Sequence, residues 1–388
     1  MPSGLLTSLT VVEYGQYISA PYCAKLLGDL GARVIKLENP DGDFARKVGP
    51  FPKDVPHPEK SGLFLALNTS KKGVVLDLKT PLGQRQVTKL LNRADIFVEN
   101  QAPDGLKSLG LDYDTLHQIN PQLIVTSISP FGQSGPYRNY KATDLVSFHM
   151  SGYAYQIQAG VEDPETEPPL RAGGHQAEFI AGVSAATATM MAILLRQKTG
   201  KGTHVDLSTQ EAMAMMPQGA IAQVNFGAPN ISRRREDRGT NSVVTLLPTS
   251  DGYIAISPRE DHQWQSWIEL MGNPAWSTEE RFATREARQK NWGDLEGLLS
   301  AWTSQCKKET LYRQAQNAHI PAFPVNTASD LFDSIQLQTR GFFTDVDHPI
   351  AGKLPYTNFP YTLSQTELRI QGPAPTLGQH NDEILSEV

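Results

Sequence analysis

The chain has 388 residues, a length that suits roughly two or three domains, each able to bury an apolar core. Its net charge of −6, from 35 Lys and Arg against 41 Asp and Glu, excludes the broad basic surface that nucleic acids or anionic membranes require. No uninterrupted apolar run approaches about 18 residues, and the start lacks a signal-peptide pattern, so we expect a soluble, unexported protein without a membrane span.

The number and spacing of the cysteines also indicate a protein that stays inside the cell. Cys23 and Cys306 are far apart and match no metal-binding or redox spacing. We therefore expect two free thiols, no metal site and a reducing cytoplasm.

Strand and helix patterns alternate through the first half of the chain. Strands are predicted at 9–13, 33–38, 74–78, 95–99 and 123–128, and helices at 21–31, 81–93 and 113–120. This alternation is typical of a parallel, doubly wound sheet, so the fold class is α/β. The Pro-, Gly- and Asp-rich segment 39–60 is predicted to be a loop.

The segment 173–208 stands out in the middle of the chain. Glu178 is predicted to open a long helix that packs closely enough to need Gly182, and Gly200 and Gly202 are predicted to end this helix before a short strand. An apolar helix is predicted next, at 211–222. The segment therefore places a carboxylate at a helix N-terminus.

The pattern changes after about Gly227. The alternating charges of 233–238 are typical of a solvated loop, with a contact to substrate or to a partner chain as the alternative. A hairpin is then predicted, with strands at 243–247 and 253–257. We predict a large α/β domain over 1–225, a smaller α+β domain over 226–325, and a C-terminal segment over 326–388 that returns to the large domain.

Two carboxylates, Asp144 and Glu178, lie where a loop meets an apolar helix. Both could simply be first-turn residues, because acidic groups are favoured there by about 0.3–1 kcal/mol. Alternatively, one could be a nucleophile that the helix N-terminus keeps ionised and whose neighbouring backbone N–H groups stabilise an oxyanion. Their spacing in the sequence leaves both interpretations open.

Several blocks occur in a characteristic order over nearly the whole chain, at 20–21, 27–38, 68–79, 98–100, 131–137, 199–208, 281–284, 341–343 and 377–380. In these blocks the chain resembles the class III CoA-transferases, a family with formyl-CoA and carnitine CoA-transferases and, as relatives, 2-methylacyl-CoA racemases. The resemblance implies a large domain built from both chain ends, a small inserted domain and an interlocked homodimer. It also implies an acyl-CoA and a carboxylic acid as substrates, with coenzyme A and no metal.

The resemblance assigns roles to the two carboxylates. The family nucleophile is an aspartate four residues before the glycine matched by Gly182, and this chain has Glu178 there. Glutamate keeps the charge and can still attack a thioester, but its arm is longer by one methylene, and a displacement of about 1 Å can cost about a hundredfold in rate. Asp144 matches a second acid that orients or tunes the nucleophile.

The resemblance also places residues near coenzyme A, most of them polar or basic, as phosphate groups require. They are Tyr17, Ile18, Ser19, Asn39, Lys71, Lys72, Asn100, Lys107 and Lys141. Asn39 and Ser108 stand where the family often has arginine, and we expect Lys107 to compensate beside Ser108. For Lys72, an ordinary solvated position is an equally good interpretation.

Two alternatives to a CoA-transferase stay open. The first is a 2-methylacyl-CoA racemase or isomerase, although this chain has Thr143 where those enzymes carry a histidine, and His149 or His175 would have to replace it. The second is a non-catalytic CoA-binding subunit of a hetero-oligomer, in which Glu178 marks lost chemistry.

Overall fold

The computed structural model describes residues 4–157, 166–227 and 245–387. The chain forms two compact units, one made of Met1–Arg233 with Thr339–Val388 and one of Arg234–Gln338. The second unit begins and ends later than the predicted small domain of 226–325. The charged segment 233–238 and the first two residues of the strand predicted at 243–247 lie outside the described residues.

Strands and helices alternate as far as residue 208. The strands are β1 Thr10–Tyr14, β2 Arg33–Glu38, β3 Lys71–Val75, β4 Ile96–Glu99, β5 Ile124–Ser129, β6 His204–Ser208, β7 Thr245–Thr249, β8 Gly252–Ile256, β9 Ala322–Pro324, β10 Phe343–His348 and β11 Gly352–Thr357. The helices are α1 Ser19–Asp29, α2 Gly62–Leu67, α3 Pro81–Arg93, α4 Tyr113–Ile119, α5 Asp144–Met150, α6 Tyr153–Gln156, α7 Gln176–Thr199, α8 Thr209–Ala214, α9 Gln218–Asn225, α10 Asp261–Leu270, α11 Glu280–Ala283, α12 Arg285–Lys290, α13 Trp292–Thr303, α14 Lys308–Asn317, α15 Ala328–Phe332, α16 Ile335–Thr339 and α17 Asn381–Leu385.

The first unit is built on a six-stranded parallel sheet with strand order β3-β2-β1-β4-β5-β6. Successive strand residues face opposite sides of the sheet. Val11 packs with α1 and α7 residues on one face, whereas Val12 packs with α3 and α4 residues on the other. Both faces are therefore covered by helices, which confirms the predicted α/β class.

Two elements differ from the predictions by more than a shift of one or two residues. The strand predicted at 74–78 lies at Lys71–Val75, because β2 ends at Glu38, which pairs with Val75, and offers no partner beyond it. The helix predicted at 211–222 is two helices, α8 and α9, and Pro217 lies directly before the second. Proline lacks the N–H that a continuous helix would need there.

Helix α7 is the one helix among the described residues that is long and apolar enough to cross a membrane. The sequence pattern did not predict such a segment. The core helix of a globular protein passes the same test, and part of α7 packs into the core of the first unit.

The C-terminal segment of the first unit contacts the edge strand β3. The backbone N–H of Gly73 donates to His380 Nδ1 at 3.1 Å, and that of Val75 donates to Asn381 Oδ1 at 2.8 Å. Ile384 of α17 belongs to the same apolar cluster as α3. Both ends of the chain therefore contribute to one unit.

The second unit has a three-stranded antiparallel sheet of order β7-β8-β9. Its core packs this sheet against helices α10, α13 and α14, and α10 contributes Trp264 and Trp267.

Candidate active site

Asp144 caps the N-terminus of α7 from another helix. The residue before α7, His175, makes no side-chain cap and has a left-handed backbone, with φ of 50°. Asp144 Oδ1 instead accepts hydrogen bonds from the backbone N–H groups of Ala177 at 2.9 Å and Glu178 at 3.2 Å. These N–H groups have no partner within a helix's own first turn. The two predicted carboxylates are thus brought together, and Asp144 is bonded to the backbone of Glu178.

The Glu178 side chain lies in a partly buried position in the first turn of α7. Burial raises the pKa of this carboxyl group. Hydrogen bonding by the hydroxyl and the backbone N–H of Ser19 acts against that increase, whereas the charge of Asp144 adds to it, and the net shift of the pKa is upward. A raised pKa makes the carboxylate more basic, and a more basic carboxylate is a stronger nucleophile.

Gly182, one turn along α7, lets α1 approach Glu178. A Cβ atom on Gly182 would lie 2.9 Å from the carbonyl oxygen of Ser19 and 3.0 Å from the Tyr22 ring. The predicted need for a small residue here is confirmed. Close approach of the two helices places Ser19, the first residue of α1, beside the Glu178 carboxylate.

The loop before α1 carries Tyr17, which has a positive φ of 70°. Its backbone N–H donates to Asp43 Oδ1 at 2.9 Å, and its hydroxyl oxygen lies 3.1 Å from His175 Nε2. Its ring also packs against Phe44. A non-glycine residue with positive φ is strained, and these contacts on three sides hold it in place.

Asn100, at the end of β4, binds the same loop. Its Oδ1 accepts from the backbone N–H of Gln16 at 2.9 Å, and its Nδ2 donates to the Gln16 carbonyl at 2.8 Å and to Ser19 Oγ at 3.2 Å. The side-chain amide of Asn100 therefore has its hydrogen-bond partners within the protein. Asn100 therefore shapes the loop at which a coenzyme A contact was predicted.

A buried group of charges lies beneath this loop. Lys36 Nζ contacts Glu13 Oε1 and Asp43 Oδ2, both at 2.8 Å, and Lys71 Nζ contacts Glu13 Oε2 at 2.8 Å. Burial lowers the pKa of Lys36, but the charges of Asp43 and Glu13 outweigh it, so the net shift is upward. Burial lowers the pKa of Lys71 to about 8, against the opposing effect of Glu13.

Lys71 was predicted from the family resemblance to contact coenzyme A. The structure instead places its ammonium group in the interior, where it also donates to the carbonyl of Pro21 at 2.7 Å and to Asn68 Oδ1 at 2.9 Å. An ammonium group has three donors, and Glu13, Pro21 and Asn68 occupy all three. The position of Lys71 suits support of the loop better than a phosphate contact.

The other predicted coenzyme A residues differ in exposure. Ile18 and Ser19 are buried, Tyr17 and Asn39 are partly buried, and Lys107 and Lys141 are exposed. Asn39 Oδ1 accepts a hydrogen bond from the Tyr14 hydroxyl at 3.2 Å. Lys72 pairs with Glu383 of α17 at the surface.

Sequence reasoning missed two charged residues at this site. Asp43 connects the buried charges to the Tyr17 backbone, and it lies in a segment predicted only as loop. Arg171 lies two residues before Gly173, and its Nη1 is 3.7 Å from Asp144 Oδ2. No periodic pattern marks an arginine in a loop, so the sequence carries no signal for it.

The geometry provides an ionisable carboxylate at a helix start, a second carboxylate bonded to its backbone, and a hydroxyl beside it. Such a site suits an enzyme that transfers acyl groups through a covalent carboxylate. No group of three or more metal-ligating side chains occurs within the described ranges.

The chain belongs to CoA-transferase family III, whose family model matches residues 6–381. This confirms the predicted family and shows that the protein is a class III CoA-transferase enzyme. The succinate–glutarate CoA-transferase of Agrobacterium fabrum is 31% identical over 387 residues, which cover 99% of this chain and 95% of that protein.

A protein that is named as a subunit has a similar degree of identity. The succinyl-CoA:(R)-benzylsuccinate CoA-transferase subunit BbsE of Thauera aromatica is 32% identical, over 95% of this chain and 90% of that protein. Among solved structures, a CAIB/BAIF family protein from Brucella suis matches with a TM-score of 0.90 and 31% identity, over 99% of both chains. These matches extend over the whole chain and support CoA transfer.

Proposed function

We propose that this enzyme moves CoA from an acyl-CoA thioester to a carboxylic acid through a covalent intermediate on Glu178. The observation that carries the proposal is the position of Glu178, whose carboxylate lies in the first turn of α7 beside Ser19 and whose backbone is bonded to Asp144. A carboxylate in this setting can attack a thioester carbonyl.

The reaction takes place in two matching halves. The Glu178 carboxylate attacks the acyl-CoA and expels CoA thiolate, which leaves a mixed anhydride. The thiolate then attacks the glutamyl carbonyl, so that the donor acid leaves and a glutamyl-CoA thioester remains. The acceptor carboxylate reverses these steps, forming its own anhydride with Glu178, and the thiolate takes the acceptor acyl group. Glu178 is regenerated, and the thioester bond is conserved throughout.

For Asp144 we propose a positioning role. It fixes the first turn of α7 through the N–H of Ala177 and Glu178, and its charge contributes to the raised pKa of Glu178. Ser19 restrains the glutamate arm from the opposite side. Together these contacts compensate for the extra methylene relative to the aspartate of the family.

For coenzyme A we propose that the loop of Tyr17, Ile18 and Ser19 meets the nucleotide. Asn39, Lys72, Lys107 and Lys141 are the proposed polar contacts, while Lys71 and Asn100 support the loop from within. A loop fixed by buried bonds loses little freedom on binding, which favours affinity.

The substrates we propose are dicarboxylic acids and their thioesters. The related enzymes of Agrobacterium fabrum and Thauera aromatica are named for succinate, glutarate and benzylsuccinate. All three are acids with two carboxyl groups.

We also propose that the chain works as an interlocked homodimer in the cytoplasm. Within the described residues, α7 exposes Val183, Met191, Leu194 and Leu195, an apolar surface of the kind that a partner covers. Cys23 and Cys306 are both free, as predicted, which suits a reducing compartment.

A second candidate is a subunit of a hetero-oligomer. It is favoured by the similarity to a protein that is named as a subunit, and by Glu178 at the position of the family's aspartate. In that case the chain would bind CoA while its partner carries the nucleophile.

Trapping the intermediate tests the proposal. The purified protein is incubated with succinyl-CoA, treated with hydroxylamine or borohydride, digested, and examined by mass spectrometry for a modified peptide containing Glu178. We expect an adduct on Glu178 that Glu178→Gln abolishes. A matched control is Glu211→Gln, because Glu211 also lies in a helix first turn, that of α8.

Absence of an adduct in a protein that still binds CoA would refute catalysis by this chain alone. Adding candidate partner chains would then test the hetero-oligomer.

A further inference from the structure

Asp144 uses its two oxygens differently. Oδ1 accepts from the backbone of Ala177 and Glu178, whereas Oδ2 is buried and has no hydrogen-bond partner among the described residues. Among the described residues, the cation nearest to Oδ2 is Arg171, whose Nη1 lies 3.7 Å away. This separation exceeds a hydrogen bond, so the pair is loose. One carboxylate therefore connects the backbone of the proposed nucleophile to an arginine.

Arg171 is placed to meet a ligand. Its side chain is 38% exposed, whereas that of Asp144 is only 4% exposed. A Cβ atom added at the neighbouring Gly173 or Gly174 would meet no atom of the described residues within 4 Å, so open space adjoins the backbone that follows the arginine. The charge of Arg171 also reaches Tyr17, on the loop opposite.

The negative charges of the site and of its proposed substrate need a cation to balance them. Asp144 and Glu178 are both acidic, and a dicarboxylic substrate brings a further carboxylate even when its other end is a thioester. Of the ion pairs between described residues, the pair of Arg171 with Asp144 is the one that includes either site carboxylate. A guanidinium has five donors in a planar fork that matches a carboxylate, and among the described residues its loose contact with Asp144 leaves this fork unsaturated.

We propose that Arg171 binds the remote carboxylate of a dicarboxylic acyl-CoA and so selects for dicarboxylic substrates. This inference rests on the proposed function. When the thioester carbonyl lies at Glu178, the far carboxylate of a short dicarboxylate extends into the open space beside Gly173 and Gly174. There it shares the guanidinium with Asp144 Oδ2.

The test compares succinyl-CoA with butyryl-CoA, which has a methyl group in place of the remote carboxylate. Dissociation constants are measured by calorimetry in a Glu178→Gln background, so that binding is read without turnover. We expect Arg171→Gln to weaken succinyl-CoA binding by roughly 10- to 100-fold, as for loss of a hydrogen bond to a charged group, and to leave butyryl-CoA binding nearly unchanged. Arg171→Lys should restore part of the affinity, since it keeps the charge but not the fork.

Arg85→Gln is the matched control, because Arg85 is exposed on α3, which covers the opposite face of the sheet. It should leave both dissociation constants unchanged. Equal weakening of both thioesters by Arg171→Gln would overturn the inference and assign Arg171 to the support of Asp144. Unchanged binding of both would overturn it as well.

The same comparison separates this inference from the proposed function. Adduct formation is measured with Glu178 intact and depends on that residue. The ratio of the dissociation constants of succinyl-CoA and butyryl-CoA is measured in the Glu178→Gln background and does not depend on it. Failure to trap an adduct, together with an Arg171-dependent ratio, would refute the covalent mechanism and support the selective site.

Discussion

Replacing Glu99 by glutamine should stabilise the first unit above neutral pH and change its stability little near pH 4.5. Glu99 ends β4 and is 3% exposed, and its Oε2 accepts from the backbone N–H of Gln101 at 2.6 Å. Burial raises the pKa of this carboxyl group from 4.5 to about 7, and the charge of Asp206 acts in the same direction. Hydrogen bonds from Ser127 and Gln101 oppose the increase only in part.

The sign and size of the effect follow from this difference in pKa. Near pH 4.5 the unfolded chain begins to lose a proton that the folded chain keeps until about pH 7. Rising pH therefore favours the unfolded state across this window, and the penalty is complete above it. A shift from 4.5 to about 7 corresponds to about 3 kcal/mol. Glutamine carries no charge and has the shape of the protonated acid, so the variant avoids the penalty.

The assay must follow the first unit by itself. All five tryptophans lie between Trp264 and Trp302, in the second unit, so tryptophan fluorescence reports on the wrong part of the chain. Urea denaturation is better followed by hydrogen exchange of peptides from β4 and β5, with variant and parent compared at pH 5 and at pH 8. Glu367→Gln, at an exposed position in the same unit, serves as the control.

We expect the gain in the free energy of unfolding to be small at pH 5 and about 3 kcal/mol at pH 8 for Glu99→Gln, with no such change for the control. An equal gain at both pH values would refute the reasoning, because the cost of ionising the buried Glu99 carboxyl group must grow as the pH rises from 5 to 8.

Two further predictions concern the proposed nucleophile and its helix. Gly182→Ala should destabilise the first unit by about 1–3 kcal/mol in urea, because its Cβ would lie 2.9 Å from the Ser19 carbonyl. Gly219→Ala in α9 should be near neutral, because a Cβ there would meet no atom of the described residues within 4 Å. Equal costs for the two variants would contradict the steric argument. Asp144→Asn should move the acid limb of the rate of adduct formation to lower pH, since the charge of Asp144 contributes to the raised pKa of Glu178; an upward movement in the pH–rate profile would disprove that contribution.

The sheet could be predicted because its signals are local. Alternating apolar residues at 33–38 match β2 without error, and helix α3 at 81–93 follows from its own amphipathic pattern. The end of β3 could not be predicted in the same way, because it depends on where its neighbour β2 ends. Local patterns therefore predict elements better than they predict the limits of pairing.

In the candidate site, too, some features follow from neighbouring residues and others depend on the tertiary fold. The start of α7 and the need for Gly182 follow from neighbouring residues. The bond between Asp144 and the Glu178 backbone joins residues 34 positions apart, and only the tertiary fold creates it. Lys71 shows a second difficulty, because this lysine lies in a polar stretch of sequence and yet its side chain is buried. Sequence alone does not tell whether such a charge faces a ligand or a buried partner.

The buried charges explain how a strained loop can be kept at the site. Breaking one member of a buried ion pair costs about 3–5 kcal/mol, because the other charge is left uncompensated. Lys36 binds both Glu13 and Asp43, and Asp43 in turn holds the backbone of Tyr17. Moving Tyr17 out of its strained conformation would break its hydrogen bond to Asp43 Oδ1 and its contacts with His175 and Phe44, whereas Asp43 Oδ2 would keep its ion pair with Lys36. Because the buried ion pair fixes Asp43, Asp43 in turn holds the backbone N–H of Tyr17, and contacts within the protein keep the loop in its conformation before any substrate binds.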